Sequence, residues 1–163
     1  MPRAGALLEL SRDHHAALVL GRDARRAAAT SDCAIWLDTI ARVEDYWRRS
    51  MADHFVEEER LIQLAREKLD PDAVGRILSE HAELRMLASG ACSIEPRARL
   101  NRFGELLSAH VRYEERLFFP QLEPHVPPVP HLLPANAIST APSIPDLADP
   151  PTIAPKFQKG DIA

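Results

Sequence analysis

Upstream of Glu123 the chain carries four stretches with apolar residues three and four apart, the period of one face of an α-helix. The first runs from about Ala4 to Ala28 and aligns Leu7, Leu10, His14, Ala17, Gly21 and Ala24. The second begins at Ser31-Asp32 and reaches about Lys68, with Trp36, Ile40, Val43, Trp47, Ser50, His54, Glu58, Leu61 and Ala65 on its stripe. Asp70 followed by Pro71 is a start signal for the third, because proline suits the first turn, where its missing N–H costs nothing. That helix aligns Val74, Ile77, His81, Leu84 and Ala88, with Gly90 as its expected stop. The fourth begins near Pro96, aligns Leu100, Phe103, Leu107, His110, Glu114 and Leu117, and is expected to end near Pro120. Short links between long amphipathic helices predict an all-α, up-down-up-down antiparallel four-helix bundle over residues 1–123.

From Pro124 the pattern changes. Ten prolines between Pro124 and Pro155 forbid both helix and sheet, so residues 124–163 are expected to form a Pro-rich extended or disordered tail. It offers a segment through which a protein partner could bind. At 163 residues the chain suits one domain with a sizeable core. Its 24 acidic and 20 basic residues give a formal charge of -4, which argues against nucleic-acid or anionic-membrane partners. Cys33 and Cys92 fit no metal-binding spacing and are expected as free thiols. No apolar run is long enough for a membrane span and Met1 to Leu8 has no signal-peptide character, so the cytoplasm is the expected location.

Polar residues interrupt the stripes in an ordered way. His14 comes first, then His54 with Glu58, then His81, then His110 with Glu114. Four residues is one helical turn, so each His/Glu pair can aim an imidazole and a carboxylate at one point. In an antiparallel pair, residues at one depth are equidistant from the intervening turn. The midpoints of successive histidines fall at 34, 67.5 and 95.5, each on a predicted break, so the four belong to one layer. The chain also repeats itself: His54-Phe55-Val56-Glu57-Glu58-Glu59-Arg60-Leu61 resembles His110-Val111-Arg112-Tyr113-Glu114-Glu115-Arg116-Leu117, and Asp13-His14 resembles Glu80-His81. Two halves, each with two histidines and one glutamate, suit a pair of carboxylate-bridged metal ions. Imidazole and carboxylate without thiolate favour iron, manganese or zinc, and six ligands are too many for one tetrahedral zinc. Burying unpaired carboxylates costs several kcal/mol, which weighs against plain core packing. Glu57, Glu59 and Glu115 read as solvated neighbours, one of them available to orient an imidazole, and Arg85 as a surface residue.

On these residues the chain resembles the hemerythrin-like (HHE cation-binding) family from Leu7 to about Leu122. The strongest element is His54-Phe55-Val56-Glu57-Glu58-Glu59, supported by Glu80-His81 and by His110 with Glu114. The family's first-helix histidine maps onto His14, which continues the Leu7-Leu10 stripe, with His15 as the alternative. Its fourth-helix carboxylate maps onto Glu114, with Glu115 as the alternative. Oxygen-carrying members have a further histidine where this chain has Ile77. The resemblance implies two non-haem iron ions, oxo- or hydroxo- and carboxylate-bridged, with manganese or zinc as substitutes, and a small diatomic or peroxide ligand. It implies a protein that binds or responds to O2, NO, peroxide or iron. The competing readings are a di-iron oxidase or peroxide-consuming enzyme, and a metal-free helical interaction module. No histidine has a glutamate three residues before it, which argues against the ferritin-like enzymes.

Overall fold

A computed structural model of the chain describes residues 5–126; the expected tail from residue 127 onward lies outside the described residues. Among the described residues there are four long helices and no strand. Helix α1 is Ala6–Ala28. Helix α2 starts as Cys33–Tyr46, widens into a π-helical turn at Trp47–Met51 and continues as Ala52–Ala65. Helix α3 is Pro71–Ala88. Helix α4 starts as Pro96–Tyr113, passes through a second π-helical turn at Glu114–Phe118 and finishes as Phe119–Leu122. A short 3-10 turn, Glu123–His125, follows, and Val126 packs against the core.

The starts are written in the side chains. Asp32 accepts a hydrogen bond from the Ala34 N–H (2.8 Å) and Asp70 from the Asp72 N–H (3.0 Å). Glu95, just before Pro96, accepts from the N–H groups of both Arg97 and Ala98. Each cap satisfies donors that the first turn leaves open, and the two aspartate caps contribute about 1 kcal/mol each. Helix α3 stops where Ser89 turns to extended backbone, and Gly90 does not adopt the left-handed cap its position suggested.

Two expectations from simple periodicity shift, for one reason. Leu117 is exposed and Phe118 is buried; Ser50 is half-buried and Met51 is buried. A π turn holds an extra residue, so core positions advance by four in successive steps: Val43, Trp47, Met51, Phe55 in α2, and His110, Glu114, Phe118 in α4. Helix α4 also runs through Pro120, which sits just behind the π turn, where the hydrogen-bond ladder is already displaced.

Helix α1 packs most extensively on α4, and two glycines set how close they come. A Cβ on Gly104 would stand 2.4 Å from the Gly21 carbonyl oxygen and 2.6 Å from Arg25 Cγ, so only glycine fits. The buried Arg99 ties three elements together: its Nε donates to the Leu87 carbonyl (2.7 Å), and its Nη2 donates to the Ser89 carbonyl (2.9 Å) and to Glu44 (3.0 Å).

The apolar core is divided. One cluster gathers Ala17, Leu20, Ala24, Val43, Met51, Leu84, Phe103 and Leu107; the other gathers Leu7, Leu10, Leu61, Ile62, Ile77, Phe118 and Leu122. Between them lie buried polar side chains: His14, His54, Glu58, His81, His110 and Glu114. Cys33 and Cys92 are free thiols. No helix among the described residues is long and apolar enough to cross a membrane.

Candidate metal centre

Each of the four helices brings one histidine to this layer, and α2 and α4 each add a glutamate one turn further on. His14 is 3%, His54 4%, His81 0% and His110 1% exposed, and Glu58 and Glu114 are fully buried. His15 is exposed. Glu114 stands between two histidine pairs: His14 Nε2 lies 3.1 Å from its Oε2, and His110 Nε2 2.6 Å from its Oε1. Glu58 Oε2 is 3.3 Å from His81 Nε2 and 3.9 Å from His54 Nε2. Single ligand atoms from Glu58, His81, His110 and Glu114 all fall within 4.8 Å of one another. The rings of His14 and His54 are 5.1 Å apart, those of His81 and His110 4.9 Å.

The four outward-facing ring nitrogens are also occupied, always by a carboxylate. His14 Nδ1 meets Glu115 (2.6 Å), His54 Nδ1 meets Asp13 (3.2 Å), His81 Nδ1 meets Glu59 (2.9 Å) and His110 Nδ1 meets Glu80 (2.8 Å). An ionised carboxylate only accepts, so each Nδ1 donates, and a neutral ring then presents a bare lone pair at Nε2. Three of these carboxylates are themselves held: Glu59 by Arg85 (2.7 Å), Glu80 by Arg76 (2.8 Å) and Glu115 by the Ser11 hydroxyl (2.7 Å).

These clamps give both Glu59 and Glu115 the imidazole-orienting role that the sequence left open to one glutamate, and correct the surface reading of Arg85; sequence reasoning passed over Asp13 and Glu80. The signal was in the repeat. Asp13 and Glu80 each precede a histidine of their own helix and serve the histidine of the next one. Glu59 and Glu115 each follow a buried glutamate and serve a histidine of another helix. Exchanging α1-α2 for α3-α4 maps every clamp onto its counterpart. Tyr113 packs under the Arg76 guanidinium, which lies 3.7 Å over its ring.

The consequence is a set of buried atoms with no hydrogen-bond partner outside the set: Nε2 of His14, His54, His81 and His110, and both carboxylate oxygens of Glu58 and Glu114. With the rings neutral, all are acceptors, and lone pairs facing lone pairs in a dry core are strongly unfavourable. Without a cation, protons must take up the strain. Burial opposes charge on His81, but Glu114 and Glu58 outweigh it and push the ring up to about 9. His110 is likewise raised to about 10 by Glu114 and Glu80 against its own burial. Burial and the neighbouring Glu114 charge push Glu58 up to about 7. Burial and the nearby His14 hold His54 down to about 4. Glu114 stays well below the usual carboxylate range despite burial, because His110, His14 and His81 surround it. A multivalent cation would satisfy the same atoms directly, and a donor set of imidazole and carboxylate fits one.

Four long helices and a buried histidine–glutamate layer thus define a helical cation-binding domain. Residues 6–122 match the sequence model of the hemerythrin HHE cation binding domain, and the chain belongs to that family. Neither the curated proteins nor the solved structures compared with the chain gave a match.

Proposed function

We propose that the chain is a non-haem di-iron protein that binds or responds to O2, NO or peroxide. The observation that carries this is the set of eight buried donor atoms with no partner outside the set, distributed as two histidine pairs sharing two carboxylates. His14 and His54 would hold one ion, His81 and His110 the other, and Glu58 and Glu114 would bridge or chelate. Short links between the helices, with the four histidines at one level, support an up-down-up-down course. When bound, iron would supply redox chemistry and open coordination positions for a small ligand.

The chain's own residues set the conditions around such a centre. Phe55 stacks on His81 (centroids 3.7 Å apart) and Phe119 on His14 (5.4 Å), keeping bulk water from those rings. Ile77, one turn before His81, is fully buried and contributes carbon rather than a further imidazole. That leaves a site of four histidines and two glutamates, without the further imidazole that the oxygen-carrying members have at this position.

The test is anaerobic iron loading followed by addition of O2, NO or peroxide, monitored by visible absorption. A change that reverses when the gas is removed, without net consumption, supports binding or sensing. Sustained peroxide consumption points to the enzymatic alternative. Iron uptake with no response to any of the three contradicts the proposal.

A further inference from the structure

The two halves of the histidine layer match in composition but not in surroundings. His81 and His110, with Glu58 and Glu114, already present four ligand atoms within 4.8 Å of one another. Both of their clamps are close and anchored: Glu59 and Glu80 lie 2.9 and 2.8 Å from the rings and are fixed by Arg85 and Arg76. These carboxylates are 29% and 16% exposed.

The α1-α2 half is looser at His54 alone, since His14 is clamped by Glu115 at 2.6 Å and Ser11 holds that carboxylate. His54 is held by Asp13 at 3.2 Å, the longest of the four clamps, and the Asp13 side chain is 45% exposed. Beside this pair a cavity of about 400 Å³ opens between α1 and α2, and His54 and Asp13 form part of its wall. Glu9, Asp53 and Glu57 line it as well, Glu9 paired with Arg12 and Glu57 with Arg60. Arg49, also on the wall, directs its guanidinium to Asp45, 2.9 Å away. So both positions share the buried carboxylates, but one has two anchored imidazoles, while the other has one and borders an opening to solvent that carries Asp13 and Asp53. An acidic approach raises the local concentration of cations.

Resting on the di-metal reading, we infer that the two positions differ in strength and fill in order. The first divalent cation is taken by His81, His110, Glu58 and Glu114. The second is taken at His14 and His54, completing the bridge, and exchanges through the acidic cleft at Asp13. A pre-assembled set of ligands binds without ordering cost, whereas the second position must draw in a less constrained His54 and accept a neighbour of like charge.

Cobalt(II) is a suitable probe. Crystals of the full chain equilibrated with one equivalent should show one anomalous-scattering peak, among His81, His110, Glu58 and Glu114; a second peak at His14 and His54 should need excess metal. In calorimetric titration, His54→Ala should lose only the weaker step and His110→Ala the tighter one. Asp13→Asn should weaken the second step alone, by about 10–100-fold. A first peak at His14 and His54, or equal peaks at both positions, overturns the ordered filling while leaving a two-cation site intact. No bound cobalt at any ratio overturns the cation-binding reading beneath it. The wild-type crystal measurement decides the order even if His110→Ala does not fold.

Discussion

At the scale of single residues, every histidine in the layer uses both ring nitrogens. One is fixed to a carboxylate on another helix and the other points into the core. This explains why Glu59 and Glu115 matter although they lie one position from the buried face. Their 28–29% exposed side chains bend around the helix to reach a ring. Replacing either with Ala should lower metal affinity by about 10–100-fold, measured by competition with a chelator, while the helical content stays unchanged. The buried glutamates and histidines were legible as interruptions of an apolar stripe. The clamps were not, because helical periodicity sorts residues by face and cannot show how far a long side chain reaches across to a neighbour. The glutamates flanking Glu58 and Glu114, one of which was open to orienting an imidazole, and the repeated acid-histidine pairs, Asp13-His14 and Glu80-His81, carried a trace of them.

The π turns act at the scale of the element. Counting at 3.6 residues per turn places Leu117 in the core, whereas the wider turn at Glu114–Phe118 delivers Phe118 instead. Nothing in the residue types announces that extra residue, since the turn is held by packing around it. Phe118→Ala should therefore cost about 3–5 kcal/mol, and Leu117→Ala within about 0.5 kcal/mol, in denaturant unfolding. Glycines separate in the same manner. Gly104 lies against the backbone of α1, so Gly104→Ala should destabilise by about 1–3 kcal/mol. Gly75, in the second turn of α3 with open space around it, should accept Ala and gain about 0.5–1 kcal/mol from helix propensity. Thermal melting of the two variants checks both signs.

Across the whole molecule, the polar layer sits where a continuous apolar core would otherwise run, between two separate hydrophobic clusters. The four helices and the depth of the histidines were readable beforehand because capping residues mark the turns and the turns bisect the histidine spacings. The unequal character of the two halves was not readable, since it depends on where α1 and α2 part to admit solvent beside His54. A core built around acceptor atoms is held together by whatever neutralises them, so cation binding and folding should be coupled. The most direct measurement is cation content per chain after anaerobic iron loading, taken together with the melting temperature before and after chelation. Two equivalents per chain, with a melting temperature that falls when they are removed, is the predicted result. A chain that takes up no metal and melts at the same temperature with or without chelator would contradict it.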